Sequence, residues 1–245
     1  MFSVFVAVYM LLIIILAMPV LLICFLIGLF NTKATRQIAF FCARIWARGS
    51  LFFGGVRVKV KGTENIENIP DNEPVLFVGN HRSAFDILVF YATTPRLAGF
   101  IAKKEVKKIF IIRPWMKFLG CLFIERGNSR AALKTILKGV ELIKSGDSIF
   151  ICPEGTRAKD GNVGRFKEGS LKMAEKSGCA IVPIAIQGTD ERFEKHKGNI
   201  HPGKCYIEYG KPVYLNELDE EDKKQAGRHV RDIIVGMLEN EARNS

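Results

Sequence analysis

Val75-Leu76-Phe77-Val78-Gly79-Asn80-His81-Arg82-Ser83-Ala84-Phe85-Asp86 is an apolar run that ends at a glycine and turns at once into a polar block. Four consecutive apolar residues read as a buried strand. Ser83-Ala84-Phe85-Asp86 has the spacing of a capping box, with Ser83 as the cap and Asp86 at the third helical position, so a helix is expected over residues 83–92. Further along stands a second unit of the same build, Ser148-Ile149-Phe150-Ile151-Cys152 followed by Pro153-Glu154-Gly155-Thr156-Arg157. Both polar blocks leave a strand at the sheet edge where α/β enzymes place their chemistry.

Strands and helices alternate around these two units. Residues 56–60, 97–102, 121–124, 180–186 and 204–213 read as further strands, and residues 129–144, 166–177 and 221–242 as helices. Ser129 is the expected cap of the first of these helices. Pro183 lies inside the strand over 180–186 and asks for an edge or a bulge there. The class is therefore α/β, a single domain over residues 55–245 with a mixed sheet flanked by helices.

The chain has 245 residues and a formal net charge of +11, but its charge is unevenly spread. The first 30 residues carry no charged side chain, which suits a membrane segment. A continuous helix of that length would be roughly 45 Å long against a hydrocarbon core of about 30 Å. Pro19 is accordingly expected to break a re-entrant helix pair, with one tilted, kinked helix as the alternative. Lys33, Arg36, Arg44, Arg48, Arg57 and Lys59 follow before any acidic residue, a collar that belongs on the cytoplasmic face of a membrane. Residues 37–53 read as an amphipathic interfacial helix, so residues 1–54 form the expected membrane-anchoring part.

This balance points to anionic partners, and the apolar anchor favours membrane phospholipids over nucleic acid, for which no binding signature is present. The six scattered cysteines include no Cys-x-x-Cys pair and read as small buried hydrophobes. His196 and His201 sit in a lysine-rich stretch with no metal-site motif, so no metal or cofactor is expected. Lys103, Lys104, Lys107, Lys108, Arg113 and Lys117, interleaved with Phe110, Trp115 and Phe118, suit either a membrane-interface patch or a phosphate funnel.

In a regular helix five residues would set His81 and Asp86 about 140° apart, so the helix must begin between them. His81 then lies on the loop and can fold back until one ring nitrogen meets the Asp86 carboxylate. That contact fixes the tautomer and leaves the other nitrogen free as a general base. In the second block Arg157 is a planar donor able to hold a phosphate, Thr156 can add a hydrogen bond, and Glu154 could accept from a glycerol-like hydroxyl.

With these blocks the chain resembles the 1-acylglycerol-3-phosphate acyltransferases, the lysophosphatidic acid acyltransferases of the glycerolipid acyltransferase superfamily. Their first motif is Asn-His-x4-Asp and their third Pro-Glu-Gly-Thr-Arg. Gly120-Cys121-Leu122-Phe123-Ile124-Glu125-Arg126-Gly127 is similar to the second motif, and Ile181-Val182-Pro183-Ile184-Ala185-Ile186 to the fourth. The resemblance implies an acyltransferase domain in which His81 takes the proton from the sn-2 hydroxyl of lysophosphatidic acid and Asp86 orients it. It implies binding of the acceptor phosphate by Lys104, Arg126 and Arg157, with Glu154, Gly155 and Thr156 nearby. The hydroxyl attacks the thioester directly, and Ser83 lacks the Gly-x-Ser-x-Gly context of a nucleophile.

The implied donor is acyl-CoA or acyl-acyl carrier protein, and the implied place is the cytoplasmic face of the inner (plasma) membrane. An acyltransferase for another lyso-lipid such as lyso-ornithine lipid, a thioesterase, and a non-catalytic membrane adaptor for anionic lipid remain as alternatives.

Overall fold

The computed structural model describes residues 1–157 and 162–244. The chain begins with α1 (Phe2–Gly28) and α2 (Thr32–Phe53), then β1 (Val56–Lys61), a single turn α3 (Glu64–Glu67), β2 (Val75–Gly79) and α4 (Phe85–Thr93). It continues through β3 (Ala98–Lys103), α5 (Arg113–Phe118), β4 (Leu122–Ile124), α6 (Ser129–Lys144), β5 (Ser148–Ile151), α7 (Glu168–Ser177) and β6 (Ala180–Gln187). β7 (Gly203–Tyr209), α8 (Glu220–Lys224) and α9 (Ala226–Arg243) complete it.

The strands form one mixed sheet in the order β1-β7-β6-β2-β5-β3-β4. β6, β2, β5, β3 and β4 run parallel, whereas β7 is antiparallel to β6 and parallel to β1. The parallel strands all end at one edge. On β2, successive side chains supply opposite faces of the sheet. Val75 and Phe77 pack with α2, α4 and α5, while Leu76 and Val78 pack with α6, α7 and α9. The domain is thus three layers, helix, sheet and helix. Every residue of β2 and β5 is buried, which explains their unbroken apolar runs.

Pro183 stands in a central strand rather than at an edge. Its register partner on β2 is Val78, and its carbonyl accepts from Gly210 N at 2.8 Å on the opposite side. A strand residue points its nitrogen and its carbonyl the same way, so the missing N–H faces residues 210–212. There regular pairing lapses between the Ile184–Tyr209 ladder and the isolated Ile181–Val213 bridge.

The N-terminal helices correct two expectations. α1 is continuous through Pro19, and the chain reverses instead at residues 29–31, where Asn31 caps α2 by accepting from Ala34 N at 2.9 Å. α1 is held along α2 on both sides of the proline, by Tyr9 Oη donating to the Ile45 carbonyl at 2.8 Å and Thr35 Oγ1 to that of Cys24 at 3.3 Å. This packing offsets the one backbone hydrogen bond that Pro19 lacks. The basic collar, for its part, is not uniformly outward. α2 also packs on α4, where Arg48 Nε donates to the Ala92 carbonyl at 3.0 Å, while Arg36 pairs with Asp147 and, from β1, Lys59 pairs with Glu241 of α9 at 2.7 Å.

Smaller differences concern helix ends. Asn128, not Ser129, caps α6, accepting from Ala131 N at 3.0 Å. The expected final helix is divided at Gln225 into α8 and α9, with Asp219 capping the first piece. Gly178 closes α7 with φ at +75°, a left-handed conformation that suits glycine.

Candidate active site

The ends of β2, β5, β3 and β4 lie side by side, which brings four separate sequence blocks to one edge of the sheet. After β2, Asn80 is buried and grips the backbone of β6. Its Nδ2 donates to the Ile186 carbonyl at 2.9 Å and its Oδ1 accepts from Ile186 N at 2.8 Å. His81 follows with its side chain 19% exposed. Its Nδ1 is 2.8 Å from Asp86 Oδ2.

Asp86 is fully buried in the first turn of α4. Its Oδ2 also accepts from Arg82 N and Ser83 N, each at 2.9 Å, and its Oδ1 accepts from Thr189 Oγ1 at 2.6 Å. Ser83 Oγ in turn accepts from Phe85 N at 2.9 Å, so the capping box forms one residue tighter than the usual pattern. A carboxylate surrounded by donors is acceptor-only, so His81 Nδ1 carries the proton and Nε2 is the basic nitrogen of the ring.

Glu154 has a structural task that the spacing of its block did not indicate. Burial raises its pKa, opposed by backbone amides that bond the charged form. Oε1 accepts from His81 N at 2.7 Å and Oε2 from Gly164 N at 3.0 Å. Each oxygen accepts from one backbone amide, so Glu154 is a bracket holding the His81 loop to the loop after β5. Gly155 turns the chain at φ +73°, and a Cβ there would stand 2.8 Å from Lys167 Nζ.

The expected phosphate cations do not converge on one point. Arg126 and Gly155 line a cavity of about 530 Å³ together with Lys167, Lys172 and the N-terminus of α6. Lys104 is turned to Glu125 at 3.0 Å, and Arg157 to Glu194 at 2.6 Å. Thr156 is exposed. A second, smaller cavity of about 160 Å³ is almost wholly apolar and lies between α1, α2, α4 and α5, where Met10, Trp46, Ile87 and Trp115 line it.

Two residues of this site had no place in the sequence reading. Thr189 follows β6, and the only available signal was that β6 ends beside β2. Glu194 lies in an irregular segment that crosses back over the site, with Phe193 stacked on Phe85 at 5.2 Å between ring centroids and Asp190 3.6 Å from Arg82 Nη1. In the same segment His196 and His201 stack on each other at 3.5 Å.

The chain is similar to known proteins over most of its length. The Acyltransferase family profile matches residues 57–187, more than half of it. A 1-acyl-sn-glycerol-3-phosphate acyltransferase of Borreliella burgdorferi is 32% identical over 203 residues, which is 83% of this chain and 80% of that protein. A chloroplastic 1-acyl-sn-glycerol-3-phosphate acyltransferase of Arabidopsis thaliana is 32% identical over 75% of this chain, and the match spans about half, 51%, of its own length. The crystal structure of the 1-acyl-sn-glycerophosphate (LPA) acyltransferase PlsC from Thermotoga maritima superposes with a TM-score of 0.83 at 26% identity, covering 98% of this chain and 95% of that one. With its motifs gathered at one sheet edge, and with this likeness in both sequence and fold, the chain belongs to the Acyltransferase family.

Proposed function

We propose that this protein transfers a fatty acyl group from an acyl thioester to the sn-2 hydroxyl of 1-acylglycerol 3-phosphate, making phosphatidic acid for phospholipid biosynthesis. The observation that carries the reading is the Asp86 carboxylate, fully buried and bonded by His81 Nδ1, two backbone amides and Thr189. It holds His81 in the tautomer whose Nε2 is free to accept a proton.

His81 takes the hydroxyl proton as the oxygen attacks the thioester carbonyl, and Asp86 steadies the imidazolium that results. The new ester C–O bond forms, the C–S bond breaks as the tetrahedral intermediate collapses, and the proton passes from His81 to the departing thiolate. No acyl-enzyme is involved. The acceptor phosphate draws on Arg157, Arg126 and Lys104, which lie apart here with Arg157 and Lys104 paired to Glu194 and Glu125 and are drawn together by the phosphate, with Thr156 and Gly155 beside it, and the apolar cavity takes an acyl chain. A passive lipid-binding adaptor would have no use for a buried carboxylate orienting a partly exposed histidine.

The acyl donor is acyl-CoA or acyl-acyl carrier protein. Both are acidic, and the net charge of +11 supports either. Residues 1–54 act as the membrane-anchoring part and residues 55–245 as the catalytic domain. α1 exposes Leu11, Leu12, Ile15, Leu16 and Leu22 yet runs back along α2, which supports immersion among membrane phospholipids with the domain held close against the surface. Lys107 and Lys108, beside an exposed Phe110, support a cytoplasmic, anionic face of the inner (plasma) membrane.

Purified protein given an acyl thioester and lysophosphatidic acid should form phosphatidic acid. His81→Ala should lower kcat/KM by about a thousandfold and Asp86→Asn by about 10²–10⁴, both with the fold intact by circular dichroism. Wild-type protein that yields no phosphatidic acid from either acyl-CoA or acyl-acyl carrier protein would sink the proposal.

A further inference from the structure

A carboxylate already lies at Arg157, the cation expected to be open for a phosphate. Arg157 Nη1 is 2.6 Å from Glu194 Oε1. That same oxygen accepts at 2.8 Å from Ala84 N, the amide at the head of the nine-residue helix α4. One anionic oxygen therefore sits between a guanidinium and a helix N-terminal amide, a donor pair well suited to a phosphate oxygen. Ala84 lies three residues after His81, on the same loop that leads from β2 into α4.

The carboxylate is poorly satisfied where it lies. Glu194 Oε2 is buried and has no hydrogen-bond partner among the described residues. Arg157, by contrast, is half exposed, so an incoming anion can reach it. The segment that carries Glu194 is fastened independently, through Thr189 to Asp86, through Asp190 to Arg82, and through Phe193 to Phe85. Glu194 can leave Arg157 without the segment coming away.

We propose that Glu194 is a tethered stand-in for the acceptor's phosphate, displaced from Arg157 and the Ala84 amide when a phosphate monoester binds. The identity of the acceptor rests on the acyltransferase reading above. Glu194 thereby sets the acceptor affinity and selects by charge. A monoester dianion brings more negative charge than the carboxylate it replaces and wins the exchange. A zwitterionic phosphodiester brings a single negative charge, carries its own cation, and does not.

The test is Glu194→Gln, which keeps a side-chain oxygen for the Ala84 amide and removes only the charge set against Arg157. Binding of glycerol 3-phosphate, followed by calorimetry, should tighten by about two- to fivefold, the worth of an exposed ion pair. The KM for lysophosphatidic acid should fall by a similar factor, and preference for it over lysophosphatidylcholine should narrow. Unchanged or weaker glycerol 3-phosphate binding in the variant would overturn the inference and leave Glu194 as a fastening of its segment. Calorimetry needs no turnover. Tighter binding in a protein that forms no phosphatidic acid would thus uphold the inference while refuting the proposed function.

Discussion

At the residue scale the site depends on how many donors reach Asp86. Among the described residues Thr189 supplies the only hydrogen bond to Oδ1, across a separation of 103 residues. Thr189→Val keeps the shape of the side chain and deletes that bond, so kcat/KM should fall by about ten- to a hundredfold, the worth of one hydrogen bond to a charged group. Thr189→Ser should restore most of it. An unchanged pH–rate profile in Thr189→Val would remove Thr189 from the orientation of His81. The His81–Asp86 contact was legible in the sequence, because the capping pattern fixes where the helix starts and so where His81 must lie. The bracketing role of Glu154 was not. Its partners are backbone amides at 81 and 164, and no spacing indicates which amides will face a given side chain.

At the scale of elements, the loop after β2 is fixed from two sides, by Glu154 on β5's side and by Asn80 on β6's. Asn80 makes two hydrogen bonds to Ile186 in a buried position. Asn80→Ala would leave both the N–H and the carbonyl of Ile186 without partners, and should cost about 2–4 kcal/mol of stability by urea unfolding in detergent. Activity should fall with it, since the loop carries His81. A loss under 1 kcal/mol, roughly a single ordinary hydrogen bond, would show that water replaces the side chain there. Most strands and helices were readable, as buried apolar runs for β2, β5 and β6 and as a 3.6-residue stripe for α6. Helix ends were less so: Asn128 and Ser129 are both good caps, and only the geometry chose between them.

At the scale of the whole molecule, the sheet order places β4, β3, β5 and β2 side by side, so the motif blocks meet although the sequence spaces them widely. On the proposed anchoring, the helix hairpin sets this edge relative to a lipid surface. Immersion of α1 is apolar and should resist salt, so the full chain should stay with the membrane pellet at 1 M NaCl, where the Debye length is about 3 Å. Removal of residues 1–28 should leave only the charged contacts of Lys107, Lys108 and their neighbours, and the shortened protein should wash off at that ionic strength. Salt release of the full chain would assign the anchoring to charge instead of to α1.

Read alone, the sequence determined the α/β class, the apolar N-terminus, the family, and the pairing of His81 with Asp86, because each rests on local periodicity or on residues close in the chain. Tertiary structure alone decided that Glu154 braces the His81 loop, that Thr189 completes the Asp86 shell, that Arg157 and Arg126 face different neighbours, and that α1 passes straight through Pro19. The physical reason is the same in each case. Hydrogen bonds and ion pairs between segments that are separate in the chain depend on which elements become neighbours and how side chains turn at their ends, and the composition of a segment carries no record of what will stand opposite it.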